Sequence, residues 1–378
     1  MSAHITTHFR RFRLLELLLS AVPLCAAGTN AVAAPVYTFT DLGPPGGTVS
    51  YGSGINNSGK VIGSIYVAGD QHATLWNGTT ATDLGTLGGT SSFGVGINDS
   101  GQVVGWSYTT AVGEGYHATL WNGTAVTDLG TLGGTYSLAY GINNSGQVVG
   151  FGHTAGDAAA HATLWNGTAV TDLGTLGGTS SYAFGISDSG QVVGRAYTAA
   201  GDQHATLWNG TTATDLGTLG GKISAAYAIN NSGQVVGDAY TAAGDQHATL
   251  WNGTTATDLG TLGGKISYAF GINNSGQVVG SSFIPGNVVT HATLWNGAAG
   301  TDLNSFLDAA TVSSGWVLTE GHGINDSGWI TGVARNSITG QEHAYLLSAV
   351  PEPETCALML AGLGVLGLTV RYRKRATA

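Results

Sequence analysis

The sequence contains very little cysteine and very little charge. Its two cysteines, Cys25 and Cys356, both lie in the terminal segments, so the region between them offers no disulfide or thiol chemistry. Charged residues make up 9% of the 378 positions, and residues 35–349 carry five basic residues against 19 acidic ones, a net charge of −14. Because DNA and RNA binding needs a cationic surface, a nucleic-acid partner is not expected.

Glycine is abundant, with 62 residues, but no Gly-X-Y period is present, and this excludes collagen. The apolar content is 42% and includes nine Trp, 14 Tyr and nine Phe, which argues against a disordered chain. The composition therefore indicates a glycine-rich all-β protein.

Residues 1–34 have the order of a secretory signal peptide. An arginine cluster at residues 10–13 precedes an apolar stretch from Leu14 to Ala27, and the small residues Ala31-Val32-Ala33 follow. We therefore predict that signal peptidase removes this segment. An ordinary N-terminal helix is the alternative interpretation.

Residues 350–378 form a second targeting segment. The sequence Val350-Pro351-Glu352-Pro353 precedes an apolar run from Ala357 to Val370, and a basic cluster ends the chain with Arg371, Arg373, Lys374 and Arg375. This order resembles the PEP-CTERM sorting signal of Gram-negative bacteria. The resemblance implies that an exosortase-type membrane enzyme recognises and removes the tail, and that the producer makes an exopolysaccharide matrix.

The apolar run of this tail rises only about 21 Å as a helix, which is short for the ~30 Å core of a bilayer. The basic cluster favours a cytoplasmic end for this helix. We expect transient anchoring in the inner membrane followed by a cell-surface or extracellular location. A permanent transmembrane anchor is the alternative.

Residues 35–349 contain seven repeats, each marked by three motifs. A His-Ala dipeptide, a Gly-Ile-Asn-Asn-Ser-Gly type of turn and an Asp-Leu dipeptide each occur seven times. One repeat of 43 to 45 residues supplies four short strands, which is the size of a propeller blade. The expected fold is an all-β, seven-bladed β-propeller of four-stranded blades.

The two ends of the repeat region complement each other. The region opens with a lone fourth-strand sequence, Tyr37 to Leu42, and stops after a third-strand sequence, His343 to Leu347. We expect the N-terminal strand to complete the last blade, because closure of the ring hides two sheet edges that would otherwise stay open.

The third and fourth strands suggest a recurring His–Asp pair. If Asn122-Gly123 forms a two-residue hairpin loop, Trp121 lies opposite Thr124 and His117 lies opposite Asp128. One His per blade is too far from the next to share a metal ion, so we predict structural hydrogen bonds. The predicted pairs are His72–Asp83, His117–Asp128, His161–Asp172, His204–Asp215, His247–Asp258, His291–Asp302 and His343–Asp41.

Two further repeated features have expected structural roles. Six tryptophans, at positions 76, 121, 165, 208, 251 and 295, are expected to pack between blades, with carbohydrate stacking as the alternative. The paired glycines that follow most of the Asp-Leu dipeptides, such as Gly88-Gly89, are expected to enter the crowded centre with positive φ.

The recurring motifs together resemble a named family. The Leu-Gly-Thr-Leu-Gly-Gly link, the Gly-Ile-Asn-Asn-Ser-Gly turn and the His-Ala-Thr-Leu-Trp strand are similar to the HAF repeat of extracellular bacterial proteins. The resemblance covers nearly all of residues 37–349. It implies export and supplies no catalytic residues.

No catalytic, cofactor-binding or metal-binding motif is evident in the sequence. We therefore expect an exported, non-catalytic surface or matrix protein that binds or organises exopolysaccharide by repeated weak contacts. The acidic charge favours a neutral polymer. The alternative is an extracellular enzyme that acts on matrix glycans or a small substrate with Glu320 and His322 of the last repeat. A charged, asymmetric channel mouth would favour the enzyme, and a symmetric polar mouth would favour the binding protein.

Overall fold

The computed structural model describes residues 36–43, 49–67, 69–109, 115–297 and 299–350. Within these residues the fold is all-β, as the sequence predicts, with 28 strands and three short helical turns. The helical turns are two 3₁₀ helices and one α-helix, at Ala155–Asp157, Leu303–Phe306 and α1 Ala309–Ser313. The predicted signal peptide and almost all of the sorting segment lie outside the described residues.

Antiparallel pairing divides the strands into seven groups of four, here called sheets 1 to 7. One parallel bridge, between Gln203 and Ile223, links sheets 4 and 5. Sheet 1 contains β2 Ser50–Ile55, β3 Val61–Val67, β4 Asp70–Asn77 and β5 Thr80–Asp83. Sheet 2 contains β6 Gly88–Ile97, β7 Val103–Thr109, β8 Tyr116–Asn122 and β9 Ala125–Asp128. Sheet 3 contains β10 Gly133–Ile142, β11 Val148–Thr154, β12 Ala160–Asn166 and β13 Ala169–Asp172.

The remaining sheets repeat this order along the chain. Sheet 4 contains β14 Gly177–Ile186, β15 Val192–Thr198, β16 Gln203–Asn209 and β17 Thr212–Asp215. Sheet 5 contains β18 Gly220–Ile229, β19 Gln234–Thr241, β20 Gln246–Asn252 and β21 Thr255–Asp258. Sheet 6 contains β22 Ser267–Ile272, β23 Val278–Phe283, β24 Thr290–Trp295 and β25 Gly300–Asp302. Sheet 7 contains β26 Trp316–Ile324, β27 Ile330–Asn336, β28 Glu342–Val350 and β1 Val36–Asp41.

Sheet 7 combines the two ends of the described chain. Strand β1 pairs antiparallel with β28 over six residues, from Val36 opposite Val350 to Asp41 opposite Tyr345. This strand occupies the place that the fourth strand, such as β9, takes in every other sheet. The last sheet is therefore assembled from segments about 300 residues apart in the sequence.

The predicted register of the third and fourth strands is wrong by two residues. Asn122 lies opposite Ala125, and Thr119, not His117, lies opposite Asp128. The loop residues are Gly123 and Thr124, and Gly123 has φ +61°. A two-residue loop with glycine first is typical of a type II′ turn, whereas the prediction assumed Asn-Gly at the two central positions.

The expected place of the paired glycines also needs correction. Gly88 does have positive φ, +100°, but it pairs with Thr109 at the end of β7. The close approach at the centre is made instead by a glycine inside the first strand of most sheets. A Cβ on Gly96 would lie 2.8 Å from the carbonyl oxygen of Tyr140 in the next sheet. Absence of a side chain at this position therefore lets adjacent first strands approach.

The six repeated tryptophans fill the spaces between sheets, and each is at most 1% exposed. Trp208 of sheet 4 packs with Val149, Ala162 and Leu173 of sheet 3. Such complete burial supports inter-sheet packing and makes the carbohydrate-stacking alternative wrong for these six residues.

The tryptophan of sheet 1 makes the same kind of contact with the last sheet. Trp76 packs with Leu42, Ala344 and Leu346, so sheets 1 and 7 share one apolar cluster. The inter-sheet packing that joins neighbours in sequence therefore also joins the first sheet to the last.

Candidate functional site

The structure brings all seven predicted His–Asp pairs into hydrogen-bond contact. Nδ1 of each His lies 2.6–2.8 Å from its Asp carboxylate. Although the backbone register differs from the prediction, the His and the Asp are diagonal neighbours across the two strands, so their side chains still meet. In the pair with Asp128, burial raises the pKa of that carboxyl, but hydrogen bonds from His117 and Gly130 lower it by a larger amount. The net pKa of Asp128 is therefore below the usual value.

Each Asp of these pairs also fixes the backbone that follows it. The same Asp accepts the backbone N–H of the residue two positions later, as Asp83 does from Gly85 at 2.8 Å. Each pair therefore ties the third strand to the fourth strand and to the start of the following link. Within the described residues, no group of three or more His, Cys, Asp or Glu is arranged to hold a metal ion.

Seven polar side chains, which we call the polar ring, surround one end of a central cavity. The backbone N–H of each member donates to the side-chain oxygen of the member in the next sheet, at 2.9–3.0 Å. The last bond, from Asp326 to Asn57, returns to the first sheet. The members are Asn57, Asp99, Asn144, Asp188, Asn231, Asn274 and Asp326.

The side chains of the polar ring are also hydrogen-bonded to one another. Each carboxylate accepts hydrogen bonds from two Asn side chains, and Asp188 accepts from Asn144 at 3.2 Å and from Asn231 at 2.8 Å. Burial raises the pKa of Asp188, but these hydrogen bonds and one from the backbone of Asn144 outweigh it and hold the pKa below its usual value. The cavity at this end has a volume of about 170 Å³. Because its carboxylates are already bonded, the arrangement is that of a structural ring.

A layer of asparagines directly below the polar ring repeats the pattern. Asn56, for example, donates its side-chain Nδ2 to the carbonyl oxygen of Asn98 in the next sheet at 3.1 Å. Sheet 4 carries Ser187 at this position, and the other six sheets carry Asn. Asn325 of sheet 7 donates back to Asn56 of sheet 1. Two successive layers of hydrogen bonds thus join sheet 7 to sheet 1.

The other end of the central cavity is lined by aromatic side chains. A cavity of about 200 Å³ is bounded by Phe184, Tyr227, Phe270 and His322 and by one isoleucine from the first strand of each sheet. The same isoleucines also line the cavity at the polar ring: Ile55, Ile97, Ile142, Ile186, Ile229, Ile272 and Ile324. The aromatic residues occupy equivalent positions in the first strands of sheets 4 to 7, and all of them are half-buried. Sheets 1 and 2 carry Ser53 and Val95 at this position, so the lining is asymmetric.

The aromatic rings form a continuous series of contacts, which we call the aromatic arc. Its neighbouring ring centroids lie 5.2–5.8 Å apart, and the series crosses from sheet 2 to sheet 7. The members of the arc are Trp106, Tyr140, Phe184, Tyr227, Phe270 and His322. Sequence analysis missed this surface, because the residues differ from repeat to repeat and only the arrangement of the sheets brings them together.

Glu320 and His322, the acid and base candidates from the sequence, lie at the end of the aromatic arc. His322 Nε2 is 2.8 Å from Glu320 Oε2, and His322 Nδ1 is 2.8 Å from the carbonyl oxygen of Gly52. Both partners are acceptors, so only a doubly protonated ring can donate both hydrogen bonds. The hydrogen bond from His322 lowers the pKa of Glu320 more than burial raises it. In this arrangement neither nitrogen of His322 is free to accept a proton.

Arg195 and Asp238 are the other charged residues beside the aromatic arc. The guanidinium of Arg195 lies over the ring of Tyr182, 5.0 Å from its centroid, and 5.5 Å from that of Phe184. Asp238 is only 1% exposed and accepts a 2.6 Å hydrogen bond from Gln246. Both residues follow a Val-Val-Gly sequence in the second strand of their sheets. This shared position is the signal that sequence analysis could have used.

The family comparison identifies one segment of the chain. Residues 349–374 match the PEP-CTERM protein-sorting motif. The motif marks an exported, surface-directed protein and implies recognition by an exosortase-type processing enzyme. No curated protein matches the chain. Among the residues that the structure describes, no helix has the length and apolar character needed to cross a membrane.

Several solved structures are distantly similar to this chain. A protein described as TolB from Agrobacterium tumefaciens has 11% identity and a TM-score of 0.44, with 85% of this chain and 100% of that chain covered. An arginine-to-alanine triple mutant of AofleA from Arthrobotrys oligospora has 10% identity and a TM-score of 0.39, with coverages of 70% and 89%. The SapL1 lectin, in complex with alpha methyl fucoside, has 11% identity and a TM-score of 0.38, with coverages of 81% and 97%. Because the similarity is this distant, nothing about the ligand of this chain follows from it.

Proposed function

We propose that the seven sheets are the blades of a closed β-propeller built from HAF-type repeats. Three observations support closure: β1 completes sheet 7, Trp76 packs against sheet 7, and the polar ring returns from Asp326 to Asn57. An open array of sheets would leave the edge strands and the end members of the ring without partners.

We further propose that the protein is a non-catalytic component of the cell surface or extracellular matrix and binds a neutral exopolysaccharide. The observation that carries this proposal is the aromatic arc, four of whose rings line a 200 Å³ cavity: Phe184, Tyr227, Phe270 and His322. Half-buried aromatic rings offer flat apolar faces, and the hydroxyl and backbone groups between them can orient a polar ligand. The C–H faces of a neutral sugar match such rings, and the acidic character of the domain disfavours a polyanion.

The expected mode of binding changes with this site. Sequence analysis suggested repeated weak contacts by equivalent loops, which would need a symmetric binding surface. At the symmetric end of the cavity, the side chains of the polar ring are already hydrogen-bonded to one another. The aromatic arc lies at the other end and is asymmetric. We therefore place the binding in one mouth of the central cavity.

An enzyme remains the second candidate, because the asymmetry of this mouth meets one expectation for an enzyme and because His322, which is hydrogen-bonded to Glu320, lines the cavity. General base catalysis requires a free nitrogen on His322, and both nitrogens are hydrogen-bonded. Release of reducing ends from the exopolysaccharide by the wild type, and its loss in Glu320→Gln, would favour the enzyme.

Binding can be tested with the mature protein purified from its producer. The protein is mixed with the producer's own exopolysaccharide and sedimented, with bovine serum albumin as the control for trapping. Sedimentation of the protein, but not of albumin, supports the proposal. A protein that stays in the supernatant at every polymer concentration contradicts it.

We also propose that the sorting tail anchors the protein transiently in the inner membrane before its removal. Fractionation of the producer and of a strain lacking the sorting enzyme tests this order. The deletion strain should retain a longer form of the protein in the inner membrane. Release of the same soluble form by both strains would contradict the proposed role of the tail.

A further inference from the structure

A second series of aromatic side chains branches from the aromatic arc at Tyr140. It leads across the second strand of sheet 3 to the second and third strands of sheet 2, and we call it the aromatic track. Consecutive ring centroids, counted from Tyr140 outward, lie 5.3–6.2 Å apart. The members of the track, in order from the arc, are Phe151, His153, Tyr136, Tyr116 and Tyr108. Because Tyr140 also contacts Phe184, the track is continuous with the wall of the 200 Å³ cavity.

The members of the track are accessible to a ligand. Tyr108 is 40% exposed, and the side chain of His153 is 28% exposed. Phe151, Tyr116 and Tyr136 are half-buried. The hydroxyl groups of Tyr116 and Tyr136 are not bonded to any residue that the structure describes, and they are not buried. These hydroxyls are therefore open to solvent and free to bond to a ligand.

The track lies at the same end of the sheets as the aromatic cavity. Tyr108 and His153 are the sixth residues of β7 and β11, and the turns that carry Asp99 and Asn144 of the polar ring lie at the opposite ends of these strands. The cavity is smaller than the roughly 300–1,000 Å³ typical of drug-sized ligands. A polymer that places one unit in this cavity must therefore lie with its remaining units against the surface beside the mouth.

Local contacts fix the backbone around the track. A Cβ on Gly115, the residue before Tyr116, would clash with the ring of Tyr136, so glycine at this position lets the rings of sheets 2 and 3 touch. Asp157 accepts hydrogen bonds from the backbone N–H and the hydroxyl of Thr135, at 2.8 and 2.7 Å, and so holds the residue before Tyr136. Rings that are already held in place lose little conformational freedom when a ligand binds.

We propose that the aromatic track binds the units of a neutral polysaccharide that follow the unit in the aromatic cavity, so that the protein recognises an extended stretch of the chain. This inference rests on the proposed binding of a neutral polysaccharide. It adds the direction in which the polymer leaves the mouth, over sheets 3 and 2.

The side chains of the track select the chemistry of the ligand. The aromatic rings offer flat faces to the C–H groups of sugars, and the tyrosine hydroxyls can donate to and accept from sugar hydroxyls. No member of the track is a lysine or an arginine, so the track provides no strong ionic attraction for a polyanion. The carboxylate beside it, Asp157, is bonded to Thr135 and lies 3.4 Å from Nδ1 of His153. A chain of uncharged sugars therefore fits the track better than an acidic chain.

Equivalent positions in other sheets provide matched variants. Tyr66 and Tyr108 are both the sixth residue of a second strand, and they are 41% and 40% exposed. Tyr66 belongs to sheet 1 and lies outside the track, so Tyr66→Ala is the matched control for Tyr108→Ala. Ser91 in sheet 2 and Ser180 in sheet 4 occupy the position of Tyr136. Tyr136→Ser therefore introduces a residue that the same strand position already carries.

The test measures the affinity of the mature protein for neutral oligosaccharides of increasing length, prepared from the producer's exopolysaccharide by partial acid hydrolysis and separated by size. The affinity of the wild type should rise with length and then level off. Tyr108→Ala and Tyr136→Ser should each weaken binding of the longest fragments about fivefold. Both variants should bind the shortest fragments as the wild type does, because only long fragments reach the track. Tyr66→Ala should match the wild type at every length.

Three results would overturn the inference and leave the proposed function intact. The first is a wild-type affinity that does not change beyond the shortest fragment that binds. The second is an equal loss by the track variants at every length, which would place their effect in the cavity or in the fold. The third is wild-type affinity of both variants for the longest fragments. Conversion of a dimer to a monomer in these variants, measured by size-exclusion chromatography, would then identify a second copy of the chain as the occupant of the track. A wild type that binds no fragment of any length overturns the proposed function as well.

Discussion

His343 and Asp41 are hydrogen-bonded across 302 sequence positions, with Nδ1 and Oδ1 2.8 Å apart. Six equivalent pairs join residues that are only 11 positions apart. The same local interaction therefore becomes, in sheet 7, the attachment of the N-terminal strand. His343 is also more buried than its counterparts, with 8% of its side chain exposed.

The closing pair should matter more for stability than an equivalent local pair. Asp41→Ala removes a partner from a nearly buried His and loosens β1, whereas Asp258→Ala removes the same contact within one hairpin. We expect Asp41→Ala to lower the free energy of unfolding by about 1 kcal/mol more than Asp258→Ala. Equilibrium denaturation of both variants measures this difference. An equal or smaller loss for Asp41→Ala would show that closure by β1 is not stabilising.

The polar ring should make the stability of the fold depend on pH in the acidic range. Hydrogen bonds from Asn144 and Asn231 hold the folded-state pKa of Asp188 below the ordinary value of 3.8. A depressed carboxyl pKa contributes stability above its unfolded value, and that contribution is lost as the pH falls through the folded value. Melting temperature should therefore decrease as the pH falls below about 4, and Asp188→Asn should show a flatter decrease.

The control for this acid effect is Asp70→Asn, at an exposed position at the start of β4. This variant should follow the wild-type curve. If Asp188→Asn and the wild type lose stability in parallel, the hydrogen bonds of the polar ring do not depend on the charge of Asp188.

Substitution by alanine should have different effects at two tryptophans. Trp208 is fully buried between sheets 3 and 4, so Trp208→Ala should cost roughly 3–5 kcal/mol of stability. Trp106 is half-buried in the aromatic arc, so Trp106→Ala should cost much less and should weaken polymer binding. Thermal unfolding and co-sedimentation of both variants test this contrast. Strong destabilisation by Trp106→Ala would place it in the core and not in the binding surface.

The sequence was sufficient for the features that repeat. The spacing of the His-Ala and Asp-Leu dipeptides predicted the all-β fold with four strands per repeat, and the lone first strand predicted its pairing with the last repeat. The hairpin register was wrong because Gly123 was placed second in the turn, while the structure places it first. That difference moves the backbone pairing by two residues.

The candidate site could not be predicted in the same way. Tyr140, Phe184 and Phe270 stand in different repeats, and each is unremarkable in its own strand. Their contact depends on how neighbouring sheets pack. Comparison of one repeat sequence with another gives no information about that packing. Arg195 and Asp238 differ from their equivalents in other repeats, and that departure from the repeat was the available signal.

Binding of the producer's exopolysaccharide by variants of the cavity wall tests the central claim most directly. Phe270→Ala removes one ring of the aromatic arc, and Tyr66→Ala removes an exposed ring outside it, 41% accessible, as the matched control. We predict that Phe270→Ala loses most of the affinity with little loss of stability, and that Tyr66→Ala binds as the wild type does. Equal affinity of Phe270→Ala and wild type, or an equal loss in both variants, would contradict binding at the aromatic mouth.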